Sequence, residues 1–217
     1  WAMAFDAKLL KSYDRIHWDC LQLNNWQPYK KVLPLKSNLL LAIGGVSFDQ
    51  GIISTIDSNG NILNTTNFNF ECNDLKDLGD GMLLIAGYGV FMKSNNFGLT
   101  WETQSIKNDN FKSICALNEN EYFTCGYNGS IYHTIDGGNH WECLRNGNAL
   151  QEKSYRLLAI YFANSRKGYA VGEGGVVLYT ADGGHNWKPI ADFPNTTFRF
   201  ISPCANGDLL IGGDYGA

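Results

Sequence analysis

One eight-residue pattern returns along the chain at nearly constant spacing, and this recurrence limits the possible folds more than any other feature. Thr134-Ile135-Asp136-Gly137-Gly138-Asn139-His140-Trp141 comes back as Thr180-Ala181-Asp182-Gly183-Gly184-His185-Asn186-Trp187. A third copy, Ser94 to Trp101, has Asn96 in the aspartate place. A fourth, Thr55 to Ile62, keeps Asp57 but ends in Ile62 instead of Trp. A fifth, Ser12 to Trp18, keeps Asp14 and Trp18 but is one residue short and has no glycine. The aspartate place falls at 14, 57, 96, 136 and 182, in steps of 43, 39, 40 and 46. A second marker runs in phase. Apolar runs end in Gly44, Gly87, Gly126, Gly172 and Gly213, in steps of 43, 39, 46 and 41.

Two markers sharing a period near 40 point to a repeated four-stranded unit, the blade of a β-propeller. Composition agrees. The 217 residues hold 24 glycines, 5 prolines and 13% aromatics, and helix-favouring runs are nearly absent. The longest apolar runs, such as Leu39 to Ile43, fall far short of the roughly 20 residues of a membrane span. The expected fold is all-β: one domain over residues 1–217, a five-bladed propeller of four-stranded antiparallel blades with strands a (inner) to d (outer). Inner strands are expected at 31–35, 73–78, 112–117, 156–162 and 199–203. The C-terminus then supplies strands a and b alone and the N-terminus c and d alone. Pairing of Lys8–Ser12 with Leu209–Gly213 is therefore expected to complete the fifth blade and leave no free edge.

The motif S/T-x-D-x-G-x-x-W resembles the Asp-box, or BNR repeat, of sialidases, sortilin-type receptors and the propellers of photosystem II assembly factors. The two intact copies and the run from Tyr169 to Tyr179 are most similar to the last group. The box is a turn device. Its carboxylate accepts backbone N–H groups, its glycine takes positive φ, and its Trp covers the hairpin. Asp14, Asp57, Asn96, Asp136 and Asp182, with Trp18, Trp101, Trp141 and Trp187, are accordingly read as fold residues.

The resemblance implies that ligands meet the face opposite the boxes, made by d–a loops and b–c turns. Cations gather where the inner strands begin: Lys31, Lys112, Arg156 and Arg199, with Lys30 beside the first. An aromatic stands before each of Lys30, Lys112, Arg156 and Arg199, whereas blade two has Glu71 to Asp74. Read as one repeat position, the cations would ring a concave mouth and attract an acidic peptide. Tyr88, Tyr127 and Trp26 join them as candidate contacts. A carbohydrate would stack on those same aromatics.

A sialidase-type reaction would need an arginine triad. Of five arginines, Arg15 and Arg166 fall in turns on the other face. Asp74, Glu173 and Asp214 are the one carboxylate set that could serve a glycosidase. Net charge −4 argues against nucleic acid as partner. The six cysteines form no CxxC and have no histidine at metal spacing, so no metal or cofactor is expected, and three disulfides or six thiols both remain open. The reading is a monomeric, non-enzymatic scaffold that binds a protein or peptide, with carbohydrate binding or glycoside hydrolysis as the alternative. The resemblance further implies an extracytoplasmic location.

Overall fold

The computed structural model describes residues 2–4, 8–24, 26–35, 38–147 and 155–216. They form two compact units, residues 1–103 and 104–217. Both are built of antiparallel strands. Among the described residues no helix is long and apolar enough to cross a membrane.

The first unit opens with β1 (Ala2–Ala4), β2 (Lys8–Lys11) and β3 (Asp19–Gln22), a three-stranded sheet with β2 in the middle. A four-stranded sheet follows in chain order: β4 (Tyr29–Pro34), β5 (Leu40–Val46), β6 (Gln50–Ile56) and β7 (Ile62–Phe68). Burial grades across it. β5 is buried from Leu40 to Gly45, whereas β7 has no buried residue. A strand covered on both faces reads as a continuous apolar run, and Leu40-Leu41-Ala42-Ile43 is such a run. β8 (Cys72–Gly79) then pairs with β9 (Met82–Ser94), which continues through Tyr88 and Gly89 as one strand where the sequence suggested a separate b and c. Leu41, Ile43, Leu75, Leu83, Ile85 and Met92 make the main core of this unit, with Trp101 packed against it. Leu9, Leu23, Leu40, Ala42 and Ile56 make a second.

The second unit repeats the plan. β10 (Glu102–Ala116) runs unbroken into the inner strand expected at 112–117, with no d–a loop before it. It pairs with β11 (Tyr122–Gly126), which pairs with β12 (Ile131–Thr134), which pairs with β13 (Glu142–Arg145). β14 (Leu157–Phe162), β15 (Gly168–Gly172), β16 (Val177–Thr180) and β17 (Lys188–Pro189) form the next sheet. β18 (Phe198–Pro203) and β19 (Leu209–Gly213) form the last. The core stacks Phe123 on Phe162 at 3.6 Å, with Leu157, Ile160 and Leu178 around them.

Two expectations need correction. The pairing of Lys8–Ser12 with Leu209–Gly213 is not made. β2 has a partner on each side, in registers Ala2↔Leu10 and Lys11↔Asp19, while β19 pairs with β18. Ala2–Ala4, too short to show an alternating pattern, forms an unforeseen strand beside β2. The disulfide alternative also falls, since all six cysteines are free thiols. Burial pushes the Cys72 thiol up to about 12, so it is an inert apolar group.

Candidate functional site

Each inner strand begins with the same irregularity. Where strand a meets strand b the register slips at its start: between Tyr29 and Lys31, Cys72 and Asp74, Phe111 and Ser113, Leu157 and Ala159, and Phe198 and Phe200. The residue stepped over is Lys30, Asn73, Lys112, Leu158 or Arg199. A bulge bends the strand and re-aims that side chain. Opposite every bulge stands the glycine of the second sequence marker. At four of them, Gly44, Gly87, Gly172 and Gly213, a Cβ would lie 1.8–2.3 Å from a carbonyl oxygen at the strand start. At Gly126 it would strike the Asp109 carboxylate. Only glycine permits this approach. The marker thus encodes a bulge.

The bulges also correct the sequence reading of the cations. Lys112 and Arg199 occupy bulge positions, Lys31 stands one residue after a bulge, and Arg156 two before one. The bulge position is shared by Lys30, Lys112 and Arg199, whereas Lys31 and Arg156 fall outside it.

In the second unit these side chains build a ladder. The Arg156 guanidinium lies 4.8 Å from the Tyr127 ring centre, with the Lys112 ammonium 5.9 Å from the same ring. Arg156 donates to Glu173 at 3.0 Å. Arg199 holds Asp214 through two N–H groups, one at 2.9 Å. Glu173 also acts electrostatically on Arg199, which links the two pairs. Arg156 is raised, first by its Glu173 hydrogen bond and then by Tyr127, and Asp214 is lowered by Arg199. Asp109 positions this site. Buried at 3% exposure, it accepts N–H groups of Asn128 at 2.8 Å and Ser130 at 3.0 Å, and so pins the turn that presents Tyr127. No other repeat has an acid there, so periodicity carried no signal for it.

The first unit spends its cations likewise. Lys30 pairs with Glu71 and donates to Asn73 at 2.8 Å, and Lys31 pairs with the buried Asp74. The stretch from Glu71 to Asp74, a break in the cationic pattern, is where the partners of those cations come from. Tyr88 is half-exposed and leans on Phe48 at 5.3 Å, and Trp26 is exposed. Asp74, Glu173 and Asp214 were the glycosidase candidates, and each is instead bonded to a cation. A general acid needs a carboxyl raised toward neutrality. Asp214 moves the other way.

All five boxes make the expected turn. Asp136 Oδ1 accepts the Thr134 hydroxyl and the His140 N–H, both at 2.9 Å, while its Oδ2 meets His140 Nδ1 at 2.6 Å. Asp182 does the same with Thr180 and Asn186. Asn96 reproduces it with Ser94 and Thr100, Asp57 with Asn61, and Asp14 with Ser12 and His17. Trp101 and Trp187 pack against the cores, Trp18 is half-exposed, and Trp141 lines a cleft.

Residues 93–195 match the family described as photosynthesis system II assembly factor YCF48. No curated protein matches in sequence. Among solved structures, YCF48 from Cyanidioschyzon merolae is similar at a TM-score of 0.69 and 14% identity, over 97% of this chain and 75% of that one. YCF48 bound to D1 peptide is similar at a TM-score of 0.55 and 14% identity, over 89% of this chain and 54% of that one. The WD40 β-propeller domain of Doa1 is similar at 0.60 and 15% identity, over 97% and 84%. This chain therefore spans about half the length of the peptide-bound YCF48 chain. The likeness establishes a β-propeller fold with Asp-box repeats, similar to the photosystem II assembly factor.

Proposed function

We propose that this chain is a non-enzymatic propeller whose five repeats act as five blades of one domain, and that it holds a peptide segment of a protein partner where the inner strands begin. The ladder of Lys112, Tyr127, Arg156, Glu173, Arg199 and Asp214 carries this reading. An arginine has five N–H donors in a fixed fork, so a guanidinium that holds one carboxylate can still grip a second. Arg156 stacked on Tyr127 and Arg199 beside it can thus receive an acidic side chain of the partner while Glu173 and Asp214 keep the two forks oriented. The peptide-bound YCF48 structure is in keeping with this class of ligand. An extracytoplasmic location completes the proposal.

The test is a fluorescence-anisotropy screen of labelled acidic and neutral peptides against the wild type, Arg156→Glu and Arg199→Glu. Acidic peptides should bind, weaken with added salt, and lose about tenfold or more in affinity to either variant. Equal binding by all three proteins, or indifference to salt, overturns the assignment of this face.

A further inference from the structure

The intact box of the β12–β13 turn does more than turn the chain. Beside it is a cleft of about 620 Å³, walled on one side by Gln104, Ser105 and Ile106 of β10, and on the other by Tyr132, Asn139, His140 and Trp141. Among the described residues that line it, none is Lys, Arg, Asp or Glu. They offer two amides, hydroxyls, one imidazole and an aromatic wall. The nearby Asp136 carboxylate is already engaged by Thr134 and by His140.

The groups are held in place. The Trp141 indole N–H donates to Gly138 O at 3.0 Å, which sets the plane of its ring. Asp136 grips His140 Nδ1 and so turns Nε2 outward. Asn139 gives its amide N–H to Asp136 O at 2.7 Å, leaving its Oδ1 to accept Gln104 Nε2 across the cleft at a long 3.5 Å. That weak bond is one a ligand hydroxyl replaces at little cost.

We propose that this cleft binds a neutral saccharide. The size suits one or two sugar rings. A pyranose presents a C–H face to an indole, and its hydroxyls both donate and accept, as do side-chain amides. Among the described residues no Lys or Arg lines the cleft to hold a phosphate or carboxylate, and no Asp or Glu lines it to hold a metal ion. The site uses no residue of the charge ladder, so it stands or falls independently of the peptide reading.

The second intact box supplies a clean variant. There the pair is His185-Asn186, and Asn186 holds the Asp182 carboxylate through both its backbone and its amide N–H. Transposing Asn139→His with His140→Asn therefore keeps the hydrogen bonds to the Asp136 carboxylate, gives up only the Asn139 amide bond that the second box does without, and changes what lines the cleft. Saturation-transfer NMR with cellobiose, lactose and chitobiose, against glucose 6-phosphate as the anionic control, should show transfer to at least one neutral sugar. The transposed variant should keep the wild-type melting temperature and bind that sugar at least tenfold more weakly. Ser105→Arg, which fills the cleft from a solvent-exposed strand position, should abolish the signal. The proposal is overturned if no neutral sugar shows transfer, if Ser105→Arg binds as well as the wild type, or if the phosphate is preferred.

Discussion

The aspartate of each box acts as a multiple acceptor, and this predicts how the fold meets acid. Hydrogen bonds from the His140 backbone N–H and then its imidazole hold Asp136 at about 2. Asn186 and His17 hold Asp182 and Asp14 well below the ordinary carboxylate value, and Asn61 lowers Asp57. A carboxyl depressed on folding stabilises the native state above its unfolded value near 4, and that contribution is lost as pH falls toward 2. Thermal stability should be flat from pH 5 to 8 and decline below pH 4, as followed by circular dichroism. Asn96 shows that a neutral amide does the same job, donating to Thr100 while accepting from Ser94. Asp182→Asn should therefore keep the melting temperature at pH 7 and flatten the acid decline. Asp182→Ala, which strips every acceptor from the turn, should lower the melting temperature by a few degrees. Equal behaviour of the two variants would remove the acceptor role.

At the scale of the strand, the bulge and its facing glycine form one device, used at every strand a. Gly172 has φ −171°, ordinary extended backbone, so its requirement is space and not conformation. A Cβ there would stand 1.8 Å from Arg156 O and 2.8 Å from its carbonyl carbon, atoms that cannot rotate away. Gly172→Ala should cost about 3 kcal/mol or more in urea unfolding, at the severe end for one methyl group. A loss below about 1 kcal/mol would mean the strands separate easily at the bulge. Trp187 tests the other end of the blade. It packs edge-on against Phe162 at 5.9 Å, within the cluster that holds Leu144. Trp187→Ala should cost about 3 kcal/mol.

On the scale of the whole molecule, each unit has its own cores, and protection against hydrogen exchange should follow them. Amides of β5 and β9 in the first unit, and of β11 and β15 in the second, should exchange last. Those of β3 and β17, exposed and short, should exchange first. Deleting residues 1–24 removes Leu9 and Leu23 from the cluster they form with Leu40, Ala42 and Ile56. The truncated chain should melt lower and aggregate, and an unchanged melting temperature would show that β1–β3 contribute nothing to that core. The repeat alone carried the fold class, the positions of most strands and the turn chemistry of the boxes, because these depend on local contacts, whereas β1 and the unbroken β9 and β10 were not legible in it. Gly44 and its four counterparts were visible as a marker, but their reason was not, since a close approach involves two strands. Pairing among charges was settled only by tertiary structure. Lys31 and Asp74 stand 43 residues apart and Arg199 and Asp214 stand 15 apart, and no local pattern says that a candidate cation will spend itself on a candidate acid. The edge of β2 was decided in the same way, by a three-residue strand too short to announce itself, because strand partners are chosen by which backbone groups the folded chain brings within reach.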